Sequence, residues 1–309
     1  METRCSNSPV SKLRIRRRDF IKLAGPFTLL LATGPAYASK LFDIIDPDQK
    51  NKDLQRTRQI LEGVTGIAQS IEGIDYQTEF TIGETLALEG FQRYGQPVED
   101  KRLQRYVNLL GNATARNSLR PDIQYYFVVV DSLLYNAFSC PGGIIFLSSK
   151  LVRGMSDEAE LACVLAHEVG HVARKHALHS IRRAKFFEGA AKIGTAGMKG
   201  ERGQKYREMV GDLQTLLFDK GLDRNMEFEA DRSGMDFAYR TGYDPAGLIR
   251  VLEMLVRQQA TAIHKGSWFS THPPLTERIA RCEAAMADYP DAGEMATAKE
   301  RFLSYNEPS

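Results

Sequence analysis

Apolar and polar residues follow two different periods along this chain, and the points where one period gives way to the other mark its elements. Over 53–72 and 84–118, Leu, Ile and Val recur three and four residues apart, which predicts helices, and Gly95-Gln96-Pro97 interrupts the second run. The run Ile123 to Val130 (IQYYFVVV) is rich in β-branched and aromatic residues and is bounded by Arg120-Pro121-Asp122 and Asp131-Ser132, so it predicts a strand. A second short strand, Gly143 to Ser148, is predicted after the Pro141-Gly142 turn. From 156 to 176 the spacing turns helical. Ser156 offers a cap, Asp157 and Glu158 suit the positive end of the helix dipole, and Leu161, Val164, Leu165 and Val172 mark one buried face. A Gly- and Lys-containing patch at 196–204 separates this helix from a helical block over 205–240. Gly242-Tyr243-Asp244-Pro245 ends that block and opens a helix at about 245–260. The last predicted helix starts near Pro274 and runs towards Ala287. The expected fold class is α+β, mostly helical with a small sheet, in one domain over 39–309.

Composition adds a compartment to this picture. The 309 residues are 43% apolar and 26% charged, the profile of a folded chain. The formal charge of +2 hides an uneven distribution: the first 38 residues hold seven Lys/Arg against Glu2 and Asp19, a local +5, which leaves −3 on the rest. A nucleic-acid binder needs its basic patch on the folded part, so DNA and RNA are not expected partners. Arg14 to Lys22 (RIRRRDFIK), the apolar stretch Leu23 to Thr33 and Ala36-Tyr37-Ala38 have the order of a secretory leader. Within it, Arg17-Arg18-Asp19-Phe20-Ile21-Lys22 resembles the twin-arginine export signal, with Ile21 in place of Leu. A signal peptide over 1–38, cleaved after Ala38, and a periplasmic mature chain with no transmembrane segment are expected, because the apolar stretch is shorter than the roughly 20 residues of a span. Cys140, Cys163 and Cys282 then remain, an odd number with no disulfide framework.

The chemistry sits in the helix at 156–176, which contains His167-Glu168-Val169-Gly170-His171. Residues four apart share a helix face, so two imidazoles can hold one tetrahedral zinc ion with Glu168 beside it. A catalytic zinc needs a third protein ligand, and Met226-Glu227-Phe228-Glu229-Ala230-Asp231 supplies one. Glu227 is read as that ligand, and Asp231, on the same face, as the acceptor that orients His167. Glu229 lies about 200° around from Glu227 and is not expected to reach the ion. His176 lies about 180° from His167 on a continuous helix and is read as structural or surface. Cys163 and Cys140 are read as buried thiols rather than ligands.

These residues resemble peptidase family M48, the gluzincin metalloproteases that include HtpX and the CAAX prenyl protease, in its soluble exported BepA- and LoiP-like branch. The likeness runs in order along the chain. Asn136-Ala137-Phe138 to Pro141-Gly142-Gly143 is similar to the family's N-A-F-x-x-P-G-G strand, and His167 to His176 to its zinc helix. Glu227 to Asp231 matches E-x-x-A-D, and Thr271-His272-Pro273-Pro274 with Arg278 matches T-H-P-P-x-x-x-R. Lys150 stands where many relatives have Gly, and no tetratricopeptide-like tail is expected after 290. The resemblance implies a zincin-like domain with one zinc ion per chain bound by His167, His171 and Glu227, with Glu168 and His272 catalytic. It leaves His272 either as an oxyanion donor or as a resting-state zinc ligand. Polypeptide substrates are expected to add as extended strands along an exposed edge formed by Gly143, Ile144, Ile145 and Phe146. The implied function is endopeptidase quality control of unfolded or misassembled envelope proteins. The alternative is a zinc-bound chaperone or assembly factor with little proteolysis.

Overall fold

Local signals in the sequence are answered by local geometry over most of the domain. The computed structural model describes residues 71, 73–183, 221–259, 268, 272 and 275–306. The leader, the helix expected at 53–72, the patch at 196–204 and the first part of the block at 205–240 lie outside the described residues. Helix α1 (Tyr76–Tyr94) is capped by Asp75, whose carboxylate accepts from Thr78 N–H, and it ends at Gly95 with φ 115°. After Gln96-Pro97, Asp100 caps α2 (Lys101–Ala115), whose buried face of Leu103, Tyr106, Val107 and Leu110 has the expected spacing. Three strands follow: β1 (Tyr126–Val130), β2 (Ala137–Cys140) and β3 (Ile144–Ser148). Among the described residues the next helices are α3 (Ser149–Gly154), α4 (Glu158–Ala173), α5 (His176–Arg183), α6 (Arg224–Thr241), α7 (Gly247–Gln259) and α8 (Leu275–Ala285). A final helix, α9 (Lys299–Asn306), lies beyond the last one predicted from the sequence.

The strand order is β1-β3-β2, with β3 parallel to β1 and antiparallel to β2. This corrects the expectation for Gly143, Ile144, Ile145 and Phe146. The Pro141-Gly142-Gly143 turn folds β2 back onto one side of β3, and the Val-rich β1 takes the other side, so the backbone of β3 has no open edge. The side chains of Ile144, Ile145 and Phe146 are also fully buried. An added strand cannot pair there. The edge strand that packs on α4 is β2.

Helix α4 differs from its sequence reading in three ways. Its cap is Asp157 rather than Ser156: Asp157 accepts from Glu160 N–H while the Glu160 carboxylate reaches back to Ser156 N–H. It stops at Ala173 and not at 176, because Lys175 adopts φ 54° and starts a new helix. And all of its residues are buried, not one face alone. Such a helix forms the centre of the domain, with the sheet, α2, α6 and α7 packed around it. Its first residue, Glu158, accepts hydrogen bonds from the Tyr106 and Tyr243 hydroxyls and from Arg301 of α9.

The tightest contact is between α4 and α6. A Cβ on Gly170 would lie 2.8 Å from Ser233 Cβ, and one on Gly234 would lie 3.2 Å from His167 Cα. The two backbones therefore approach where only glycine fits, which sets the acids of α6 against the histidines of α4. Among the described residues no helix is long and apolar enough to cross a membrane. In an exposed helix interior Gly→Ala stabilises by roughly 1 kcal/mol. Here Gly170→Ala should instead destabilise by about 1–3 kcal/mol through overpacking. Urea denaturation checks the sign, and a raised midpoint would contradict the close approach.

Candidate metal centre

Four side chains from three parts of the chain converge in the space between α4 and α6. The helical period puts His167 and His171 on one face of α4, with their Nε2 atoms 3.0 Å apart. Glu227, in the first turn of α6, has Oε2 3.7 Å from His167 Nε2 and Oε1 3.6 Å from His171 Nε2. His272 closes the group, with Nδ1 2.8 Å from Glu227 Oε2. One ligand-type atom from each of these four residues lies within 4.8 Å of the others, and all four are buried. Burial lowers the pKa of His167, His171 and His272, which favours neutral imidazoles. Burial also pushes Glu227 up to about 7 although Arg278 opposes it, a sign of a carboxylate enclosed with too little positive charge.

This set of atoms fits a divalent cation. Glu227 Oε1 and both oxygens of Glu168 are buried without a hydrogen-bond partner. Two neutral imidazoles and a carboxylate are a donor set typical of zinc, and a cation placed among them satisfies acceptors that are otherwise costly to bury. Glu168 is fully enclosed, and burial, followed by repulsion from Glu227, pushes it up to about 8 in the metal-free protein.

The atoms behind the ligands are as ordered as those in front. Asp231, one turn along α6 from Glu227, places Oδ1 3.1 Å from His167 Nδ1. Arg278 of α8, fully buried, donates to both oxygens of Asp231 from Nε (2.8 Å) and Nη2 (2.6 Å) and to the His272 carbonyl from Nη1 (3.0 Å). Its Nη1 also lies 3.3 Å from Glu227 Oε2. Burial alone would raise Asp231, but this guanidinium outweighs it and holds the carboxyl well below the usual carboxylate range. Sequence reading quoted Arg278 only within a motif and gave it no role. The one signal available was an arginine in an otherwise amphipathic helix, and its partner is 47 positions away.

The remaining cysteines, acids and histidines near the centre fall as follows. Cys163 and Cys140 are free and buried outside the group, and burial raises both thiols. Glu229 is on the outer side of α6 against His176, and His179 is half-buried outside the group. His176 is not on the surface. The break at Lys175 turns it back so that its Nδ1 lies 2.8 Å from His171 Nδ1, and its burial lowers it to about 4. Thr271, Pro273, Pro274 and the flanking Gly266 and Ser267 lie outside the described residues.

The peptidase family M48 profile matches residues 99–286, a span that contains every residue of this centre. The chain belongs to peptidase family M48. The match takes in the whole arrangement from α2 to α8 as an M48 domain, that of a family of metallopeptidases, and so agrees with the geometry of the donors. Named relatives in several organisms are similar to part of this chain. The beta-barrel assembly-enhancing protease of Yersinia pestis is 29% identical over 194 residues, 59% of this chain and 38% of that protein. The metalloprotease LoiP of Escherichia coli is 30% identical over 178 residues, 58% of this chain and 67% of that protein. The mitochondrial metalloendopeptidase OMA1 of Arabidopsis thaliana is 26% identical over 212 residues, 69% of this chain and 40% of that protein. The chain thus spans about two fifths of the length of the beta-barrel assembly-enhancing protease it matches. Within the family it is similar to the BepA- and LoiP-like branch.

The buried ion pair at the back of this M48 centre predicts a non-additive pattern. Arg278→Met leaves Asp231 charged and buried with only the His167 ring beside it, and should cost about 3–5 kcal/mol in urea denaturation of the metal-free protein. Adding Asp231→Leu removes the orphaned charge, so the double variant should be more stable than Arg278→Met alone. A double variant less stable than the single one would contradict the pairing.

Proposed function

We propose that this chain is a zinc-dependent endopeptidase of the cell envelope that hydrolyses peptide bonds of unfolded or misassembled proteins. The observation that carries this reading is the pair of unpartnered Glu168 oxygens buried beside a converging His167, His171 and Glu227. In this reading those three side chains hold one zinc ion per chain. When bound, zinc supplies Lewis acidity towards a peptide carbonyl and towards water. Glu168, with the Ser139 hydroxyl the protein donor nearest it, takes the proton of the attacking water and returns it to the leaving amine. Asp231 keeps His167 in the tautomer that presents Nε2, and Arg278 keeps Asp231 ionised for that task.

His272 acts in the substrate-free state as a fourth ligand, and its closeness to Glu227 supports this. Trp268 and His272 lie by the start of β2: Trp268 N–H donates to the Tyr135 carbonyl at 2.8 Å, and the His272 ring is near the Ala137 carbonyl. An extended substrate needs the carbonyls of this strand, so these two residues must yield before β2 can pair with a polypeptide. The edge proposed for the substrate is therefore Ala137–Cys140. Export through the twin-arginine leader, removal of residues 1–38 and a periplasmic location complete the reading. The beta-barrel assembly-enhancing relatives support the envelope as its place.

Two substitutions separate the parts of this proposal in a casein-cleavage assay. Glu168→Gln should retain zinc and lose about 10²–10⁴-fold in turnover, the range for a general base. Zinc retention with unchanged turnover would overturn the role of Glu168, and wild-type protein that never cleaves would favour a chaperone. His272→Ala should raise basal cleavage and loosen zinc. A loss of about 10²–10³-fold with zinc affinity unchanged would make it an oxyanion donor instead.

A further inference from the structure

The two ligand histidines of α4 are backed by different partners. His167 turns Nδ1 to the Asp231 carboxylate, while His171 turns Nδ1 to a third histidine, His176. The contact exists because the chain breaks at Lys175. On a continuous helix five residues separate side chains by about 140°. Lys175, at φ 54°, is one of two non-glycine residues with positive φ among those described, and the turn it makes brings the His176 ring to 5.0 Å from that of His171. On its far side, His176 Nε2 lies 3.2 Å from Glu229 Oε2, and Glu229 is 54% exposed. The ring itself is 2% exposed.

Proton placement along this row follows from counting donors. A carboxylate only accepts, so His176 carries its proton on Nε2 and donates it to Glu229. His176 Nδ1 is then an acceptor, so the 2.8 Å contact requires His171 to carry its proton on Nδ1. The Nε2 of His171 is left with a bare lone pair that faces His167 Nε2 at 3.0 Å and Glu227, so no proton lies between the two Nε2 atoms and they converge as acceptors suited to a cation. We propose that Glu229 and His176 form a positioning relay that fixes the tautomer and ring orientation of His171 before metal arrives, the counterpart of Asp231 for His167. The relay places a neutral imidazole, rather than a second carboxylate, behind His171. That adds no further carboxylate to the buried centre and leaves the charge of Glu229 at the surface. This inference rests on His171 being a metal ligand.

The test uses the mature chain and two variants of one residue. His176→Asn keeps an acceptor oxygen close to the position of Nδ1, and His176→Leu fills similar space without one. Long-range proton–nitrogen NMR of the metal-free protein, assigned against His171→Ala, should show His171 as the Nδ1–H tautomer in wild type and in His176→Asn. A mixture should appear in His176→Leu. Zinc affinity by chelator competition should fall about 10- to 100-fold in His176→Leu and stay within about threefold in His176→Asn, the pattern of a lost outer hydrogen bond. An Nε2–H His171 in wild type, or equal affinities in the two variants, would overturn the relay. Wild-type protein that binds no zinc, yet has the Nδ1–H tautomer, would overturn the ligand reading and leave the relay standing.

Discussion

Polar groups buried in a helix at the centre of a domain must each find a partner, and that requirement organises this molecule. Helix α4 is enclosed along its whole length, yet it carries His167, Glu168 and His171. Burial removes these groups from bulk water, and an unpaired polar group in such surroundings costs several kcal/mol or changes its protonation state. The surrounding elements supply partners one by one. Helix α6 brings Glu227 and Asp231, α8 brings Arg278, and the turn at Lys175 brings His176. Glu227 Oε1 and the Glu168 carboxylate are among the atoms left without a hydrogen-bond partner, and those are the ones a cation and a substrate would meet.

The close packing of α4 on α6 gives this arrangement its rigidity. Gly170 and Gly234 let the two helices meet at distances where an added Cβ would force a shift, so the histidines and acids are set by close helix contact rather than by flexible side chains alone. Charge is placed with the same economy. Arg278 lies within reach of two carboxylates and a carbonyl, and it joins the helix bearing the third ligand to the segment that carries His272. Movement of that segment therefore has to break a buried hydrogen bond from the group that keeps Asp231 ionised.

Some of this was legible in the sequence and some was not, for physical reasons. The spacing of His167 and His171, and of Glu227 and Asp231, is a property of one helix turn, so the shared faces follow directly from position. Strand order does not follow from local pattern. Nothing in Gly143 to Ser148 reveals that β1 returns to pair in parallel with it, and a central strand was read as an edge. The short run Ala137–Cys140 lacks the length to declare itself by periodicity, and only its likeness to a family motif drew attention to it. His176 was misplaced because the 100° rule assumes a continuous helix, and the break at Lys175 lacks the glycine that normally announces one. Arg278 was missed because its partners are far away in sequence.

The central claim is that the unsatisfied acceptors of α4 and α6 are a zinc site made by three residues of this chain. X-ray absorption at the zinc edge, together with metal counting on the purified mature protein, tests it most directly. The account predicts one zinc per chain in a shell of nitrogen and oxygen donors with imidazole scattering and no sulfur, and its disappearance in a His167→Ala/His171→Ala double variant. A sulfur donor at about 2.3 Å, the length of a zinc–thiolate bond, or full zinc occupancy in the double variant, would contradict it.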